Sequence, residues 1–302
     1  MKNVKQIKKI DIHAHATAFP EYYPPFRGGT RFVAAEEVIA FYDRLEIERG
    51  LLLPLTSPEG QYAPMPTESC MMLADKYPER FILACNVDPR AIYNAPVSPL
   101  YDLLAYYKER GAKAMGELTA NIYADDPRMD TLLGACAELD LPVTVHIAPH
   151  FKEYGIVDDL GLPRLEKMLK KHPQLKLLGH SRCFWSEISA DNNETTRDTI
   201  PSGKVKEGRV AQLMREYPGL YCDLSAGSGS NALMRDPEYA ARFIEEFADR
   251  ILYGCDICAA TNTFPFDFAA FLDKMLDDGM ISPQNYRKIV RDNAIKLLKL
   301  EE

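Results

Sequence analysis

Eight short strand-like runs, each followed by a stretch of helical spacing, pace this chain from residue 7 to residue 254. The runs cover 7–12, 51–55, 81–87, 112–118, 142–147, 175–179, 220–224 and 251–254. The helical stretches cover 34–47, 69–76, 99–110, 129–139, 162–171, 205–217 and 238–248, with two more at 266–277 and 283–298. Most of the runs are continuously apolar rather than alternating, as parallel strands buried on both faces must be. Eight such units over roughly 250–300 residues is the arithmetic of a (β/α)8 TIM barrel. A doubly wound open sheet needs a glycine-rich phosphate loop after its first strand, and none follows residue 12. The expectation is a single (β/α)8 domain over residues 1–302, with no internal repeat, low-complexity tract or linker. Two segments break the rhythm. Residues 19–29, rich in aromatics and prolines, read as a lid, and the polar, turn-prone 181–204 follows a strand and so should overhang the barrel mouth.

A net charge of −8 argues against nucleic-acid and anionic-membrane partners, which want clustered Lys and Arg. No apolar run approaches the ~18 residues of a membrane span. Lys2, Lys5, Lys8 and Lys9 are not followed by an apolar signal core. These features point to a cytoplasmic protein acting on a small molecule, and they are compatible with a homodimer whose loops complete a neighbour's mouth. The seven cysteines are odd in number and mostly embedded in apolar runs. Cys255 and Cys258 match C-x-x-C by spacing, but they close a late strand instead of opening a helix, so buried reduced thiols are expected.

In a (β/α)8 barrel, chemistry sits at the carboxyl ends of several strands. Here His13 and His15 end the first strand, Glu117 the fourth, His146 the fifth, His180 the sixth and Asp256 the eighth. Spacing by two places Asp11, His13 and His15 on one strand face. Each polar residue alone reads as a turn or cap residue. Together, four imidazoles and two carboxylates converging on one mouth call for a bound cation. Neutral imidazole and carboxylate suit zinc, and equally manganese, iron or cobalt. His172, at the end of a Lys-rich helix, reads as a cap for its last carbonyls, and His150 as a solvated loop residue. Arg182 and Trp185, with Phe184, form a candidate cationic and aromatic wall for an anionic substrate.

These motifs carry a resemblance. Ile10-Asp11-Ile12-His13-Ala14-His15, Gly116-Glu117, 141–146 with its closing His146, His172-Pro173 leading to Gly179-His180, 221–225, Gly254-Cys255-Asp256 and Asn293-Ala294 follow one another in order over nearly the whole chain. The sequence resembles the amidohydrolase superfamily, in its amidohydrolase-related branch that includes aminocarboxymuconate semialdehyde decarboxylase. The resemblance implies that His13, His15, His146 and Asp256 bind one divalent metal, with Glu117 as a further ligand or bridge, and that His180 transfers protons. It implies hydrolysis of a small, carboxylated substrate by a metal-activated water, with Asp256 taking the proton. The alternative in the same family is a metal-dependent non-oxidative decarboxylase, whose carboxylate an arginine must hold; Arg27, Arg90 and Arg182 are the candidates.

Overall fold

The computed structural model describes residues 4–26, 29–60, 65–90 and 100–301. Eight parallel strands form a (β/α)8 barrel: β1 (Lys9–Ala14), β2 (Ile47–Leu52), β3 (Phe81–Leu83), β4 (Met115–Leu118), β5 (Val143–Ala148), β6 (Leu177–His180), β7 (Leu220–Asp223) and β8 (Ile251–Leu252). Neighbours pair in chain order, and a single parallel bridge between Cys85 and Met115 joins β3 to β4. The ring closes where Ile12 N–H donates to the Tyr253 carbonyl (3.0 Å) and Asp256 N–H to the His13 carbonyl (2.8 Å).

The apolar runs divide into two buried layers. Ile10, Ile12, Leu51, Leu53, Ile82, Ala84, Ala114, Leu178 and Leu252 fill the barrel, with Ala294, Leu297 and Leu298 of the closing helix packed against them. A larger cluster lies between the outer strand faces and the surrounding helices. Interior space is thus sealed by carbon at one end, and the polar residues gather at the other.

Each expected strand and helix is present, with ends shifted by a few residues. Among the described residues, two α-helices were not expected, Arg182–Ser186 and Ala226–Met234. The second is built of Ala226-Gly227-Ser228-Gly229-Ser230, a composition of low helix propensity, and it forms because the barrel gives that segment a surface to pack on. Segment 187–204 carries no helix or strand. It is pinned by Arg197, which is 3 % exposed and donates to the Asp158 carbonyl at 2.7 Å. Its Asp198 and Ile200 reach the barrel mouth. No helix among the described residues is long and apolar enough to cross a membrane.

Candidate metal centre

A distortion of β1 creates the site. Ile10 and Ile12 point into the barrel, while Asp11 points outward to the surrounding helices, where it accepts from Tyr42 Oη at 2.8 Å. Its other oxygen accepts from the N–H groups of His13 (2.9 Å) and Cys255 (2.8 Å). The Asp11 carboxylate thereby takes the Cys255 N–H that a regular ladder would give to the Ile12 carbonyl, and the pairing of β1 slips between Asp11 and Ala14. After that bulge, His13 and His15 face the mouth. Asp11 therefore does not share their face, contrary to simple alternation. Burial pushes its carboxyl up to about 6, against the pull of these three donors.

His15 Nδ1 donates to the Leu53 carbonyl at 3.0 Å, and His13 Nδ1 to Asp223 Oδ2 at 2.6 Å. A carbonyl or ionised carboxylate only accepts, so in each neutral ring the proton sits on Nδ1 and Nε2 is bare. Those two Nε2 atoms lie 3.0 Å apart. Around them stand Glu117 Oε2 (3.4 Å from His15 Nε2) and Asp256 Oδ1 (3.5 Å from it). His180 Nε2 is 3.8 Å from Glu117 Oε1 and 3.7 Å from Asp256 Oδ2, while its Nδ1 meets Ser225 Oγ at 3.1 Å. Two sets of ligand atoms, His13/His15/Asp256 and His13/Glu117/His180, each lie within 4.8 Å of one another.

The electrostatics ask for a positive charge. Burial opposes a charged His13, yet Asp223, Asp256 and Glu117 outweigh it and hold its pKa well above the usual range. Burial likewise favours a neutral Glu117, but His146, His13 and His15 hold it well below. Two bare imidazole nitrogens 3.0 Å apart, with ionised carboxylates beside them, are stable only with a shared proton or a cation between them. The donor set fits a divalent metal.

A family model described as Amidohydrolase matches residues 10–300. The chain belongs to the amidohydrolase family. It is thus a metal-dependent enzyme of that family, as the sequence motifs implied. Three solved structures illustrate the likeness in fold. An amidohydrolase from Burkholderia multivorans with bound HEPES is 15 % identical, with 98 % of this chain and 100 % of that one covered and a TM-score of 0.64. 5-Carboxyvanillate decarboxylase from Novosphingobium aromaticivorans, complexed with manganese and 4-hydroxy-3-methoxy-5-nitrobenzoic acid, is 18 % identical (98 % and 97 % covered, TM-score 0.60). 2,6-Dihydroxybenzoate decarboxylase from Rhizobium is 16 % identical (97 % and 99 %, TM-score 0.58). A comparison with curated proteins finds no match.

In this amidohydrolase, His146 stands apart from the other imidazoles. Its Nδ1 bonds Glu117 Oε1 at 2.6 Å, it belongs to neither ligand set, and its side chain is 25 % exposed. Gly155 leaves room for it: at φ +123° a Cβ there would lie 2.7 Å from the His146 carbonyl and 2.8 Å from its ring. Gly116, at φ +131°, similarly lets β4 pack closely on β5: a Cβ there would lie 2.7 Å from the Thr144 carbonyl.

Two chambers open above the cluster and share His146, Tyr154 and Asp256. One, about 380 Å³, is lined by Phe26, Phe32, Leu55 and Cys258 along with His15 and Glu117. The other, about 440 Å³, is lined by His180, Ser181, Arg182, Asp198 and Ser228. Arg182 thus reaches the mouth. Trp185 does not line either chamber: it is 2 % exposed and donates from Nε1 to the Asp223 carbonyl at 2.9 Å, locking the end of β7. Arg90 is held by Glu59 and Asp88, and Arg27 lies outside the described residues. His172 is the C-cap of its helix, but through its backbone N–H, which donates to the Met168 carbonyl at 2.9 Å; its ring pairs with Asp130 at 2.7 Å. His150 is an exposed loop residue, as expected. Every cysteine is a free thiol, six of them buried and Cys258 partly so.

Sequence reasoning missed Asp223, Ser225 and Tyr154 as site residues. Asp223 ends β7 and Ser225 follows it, within a segment that the family resemblance had already marked. Tyr154 donates to Glu117 Oε2 at 3.1 Å from a loop with no motif around it.

Proposed function

We propose that this enzyme is a hydrolase that cleaves a small, carboxylated substrate at a divalent metal centre, on a single (β/α)8 unit spanning residues 1–302. The observation that carries the reading is the convergence of His13, His15 and His180 through Nε2 with the carboxylates of Glu117 and Asp256, with each of those three imidazoles tethered through Nδ1. His13, His15 and Asp256 would hold the ion, and the Glu117–His146 pair would complete the donor set. Zinc is the first choice, and manganese, iron or cobalt suit the same donors. When bound, such an ion supplies Lewis acidity and makes water nucleophilic at neutral pH.

The chain's own groups would do the rest. Asp256 takes the proton from the attacking water. His180, oriented by Ser225 and Asp223 through Nδ1, holds a proton at Nε2 for the leaving group, 3.7 Å from Asp256 Oδ2. The apolar chamber excludes water from the body of the substrate.

That same chamber favours a second reading, a non-oxidative carboxy-lyase. Phe26, Phe32 and Leu55 offer a dry cleft for an unsaturated or aromatic ring, and decarboxylases are among the proteins of similar fold. Elemental analysis with chelation and reconstitution tests the metal. Substrate turnover in ¹⁸O-labelled water then separates the readings: label in the product supports hydrolysis, and release of carbon dioxide without it supports the lyase.

A further inference from the structure

The polar chamber holds an arginine that no carboxylate of the described residues pairs with. In an acidic chain with 36 Lys and Arg against 44 Asp and Glu, arginines should find carboxylate partners easily. Among the described residues, the Arg182 and Arg235 side chains are the arginines with neither an ion pair, a hydrogen bond nor an aromatic contact. Arg182 lines the polar chamber beside the metal-centre residues His180 and Asp256. Arg235 lines a narrow crevice that shares Arg182, Ile200 and Ser228 with that chamber, and its Nε is buried without a partner. Glu153 and Asp198 also line the chamber, and neither comes within ion-pair distance of Arg182.

The amino end of the helix Ala226–Met234 lines the same chamber as Arg182. Its N-cap, Ser225, would normally cap the first turn, but its hydroxyl is committed to His180 Nδ1. The Ala226 N–H reaches the Cys255 carbonyl at 3.4 Å, and the N–H groups of Gly227 and Ser228 have no acceptor among the described residues. Ser228 supplies a second, independent sign. It is 7 % exposed, lines the chamber, and its hydroxyl makes no hydrogen bond to the described residues. A chamber-facing hydroxyl on a largely buried residue, two free helical N–H groups and an unpaired guanidinium lining one space are complementary to an oxyanion.

We infer that Arg182, Ser228 and the Gly227–Ser228 amides form an anion subsite that binds a carboxylate of the substrate other than the group undergoing reaction. The inference rests on the metal-centre reading only for what lies at the other end of that substrate: the molecule spans the chamber, with its reacting bond at the histidine cluster and a free carboxylate on Arg182. The favoured substrate is then a small dicarboxylate, or a carboxylate in which the cleaved amide or lactone is a separate group.

Calorimetric titration with malonate, in a low-chloride buffer, tests the subsite apart from turnover. Malonate should bind the chelated, metal-free protein, and equally the His13→Ala variant. Arg182→Gln should weaken it about 10- to 100-fold, the range for hydrogen bonds to a charged group. Gly227 has no atoms within 4 Å of a would-be Cβ, so Gly227→Asp places a carboxylate at the rim without a clash and should abolish binding. Malonate affinity unchanged in both variants, no measurable binding to wild type, or binding that disappears with the metal would each overturn the subsite. A protein that holds no stoichiometric metal but still binds malonate through Arg182 would overturn the metalloenzyme reading and leave the subsite standing.

Discussion

The two chambers over the barrel mouth meet at His146, Tyr154 and Asp256 yet differ in every other wall. One is closed by Phe26, Phe32 and Leu55, from the loops after β1 and β2; the other by Arg182, Asp198 and Ser228, from the loops after β6 and β7. The apolar chamber strengthens electrostatics by excluding water, and the polar one offers fixed donors. A substrate with an apolar body and an anionic end would use both, and the histidine cluster lies where they join. The difference teaches that a single strand-end cluster can serve unlike surroundings, because each loop is free to vary over a rigid barrel.

Four substitutions, in descending size of effect, break or sharpen that contrast. Asp256→Asn, at the shared wall, should lower kcat by about 10²–10⁴-fold, as loss of a general base does, whichever chamber a substrate favours. Steady-state kinetics on two substrates differing in apolar bulk checks this, and a loss confined to one of them would separate the chambers functionally.

Segment 187–204, whose Asp198 and Ile200 line the polar chamber, is pinned by a group with its own pH dependence. Asp158 receives Arg197 through its carbonyl, and its carboxylate accepts from the N–H groups of Asp159, Arg164 and Leu165. Burial outweighs those donors and raises its pKa to about 6. Between pH ~4 and ~6 the folded state therefore holds a proton that the unfolded chain has lost, so this group's contribution to stability falls as pH rises, by at most ~3 kcal/mol. Thermal melts across that range should fall less steeply for Asp158→Asn than for wild type.

Asp223→Asn replaces the charged acceptor of His13 Nδ1 with a neutral amide, and should weaken metal affinity about 10- to 100-fold while leaving the fold intact; competition with a chromogenic chelator measures it. The smallest effect is expected of Tyr154→Phe, at the partition. Losing its bond to the ionised Glu117 should cost about 1.5 kcal/mol, or roughly 10-fold in kcat/KM. A much larger loss would mean that the hydroxyl touches substrate.

Much of the architecture was legible because parallel strands wrapped by helices must be apolar on both faces, so β3 and β6 announce themselves locally. The polar endings were legible for the same reason: a His or Asp interrupting such a run has nowhere to go but the mouth. The helix Ala226–Met234 was not legible, since Gly227, Gly229, Ser228 and Ser230 argue against helix and only packing supports it. The role of Trp185 was also hidden. Its position after β6 suggests a substrate wall, whereas its bond to the Asp223 carbonyl, 38 residues away, makes it a strut.

The sequence by itself determined the (β/α)8 barrel, the family and the set of residues placed at strand ends, because hydrophobic period and motif order are local properties of the chain. Only the tertiary structure decided which of those residues converge. The slip in β1 separates Asp11 from His13, and the 210-residue reach from His13 to Asp223 fixes the ring. Likewise, Ser225 turns to His180 and leaves a helix end uncapped. Each depends on contacts between distant segments, which no local pattern encodes.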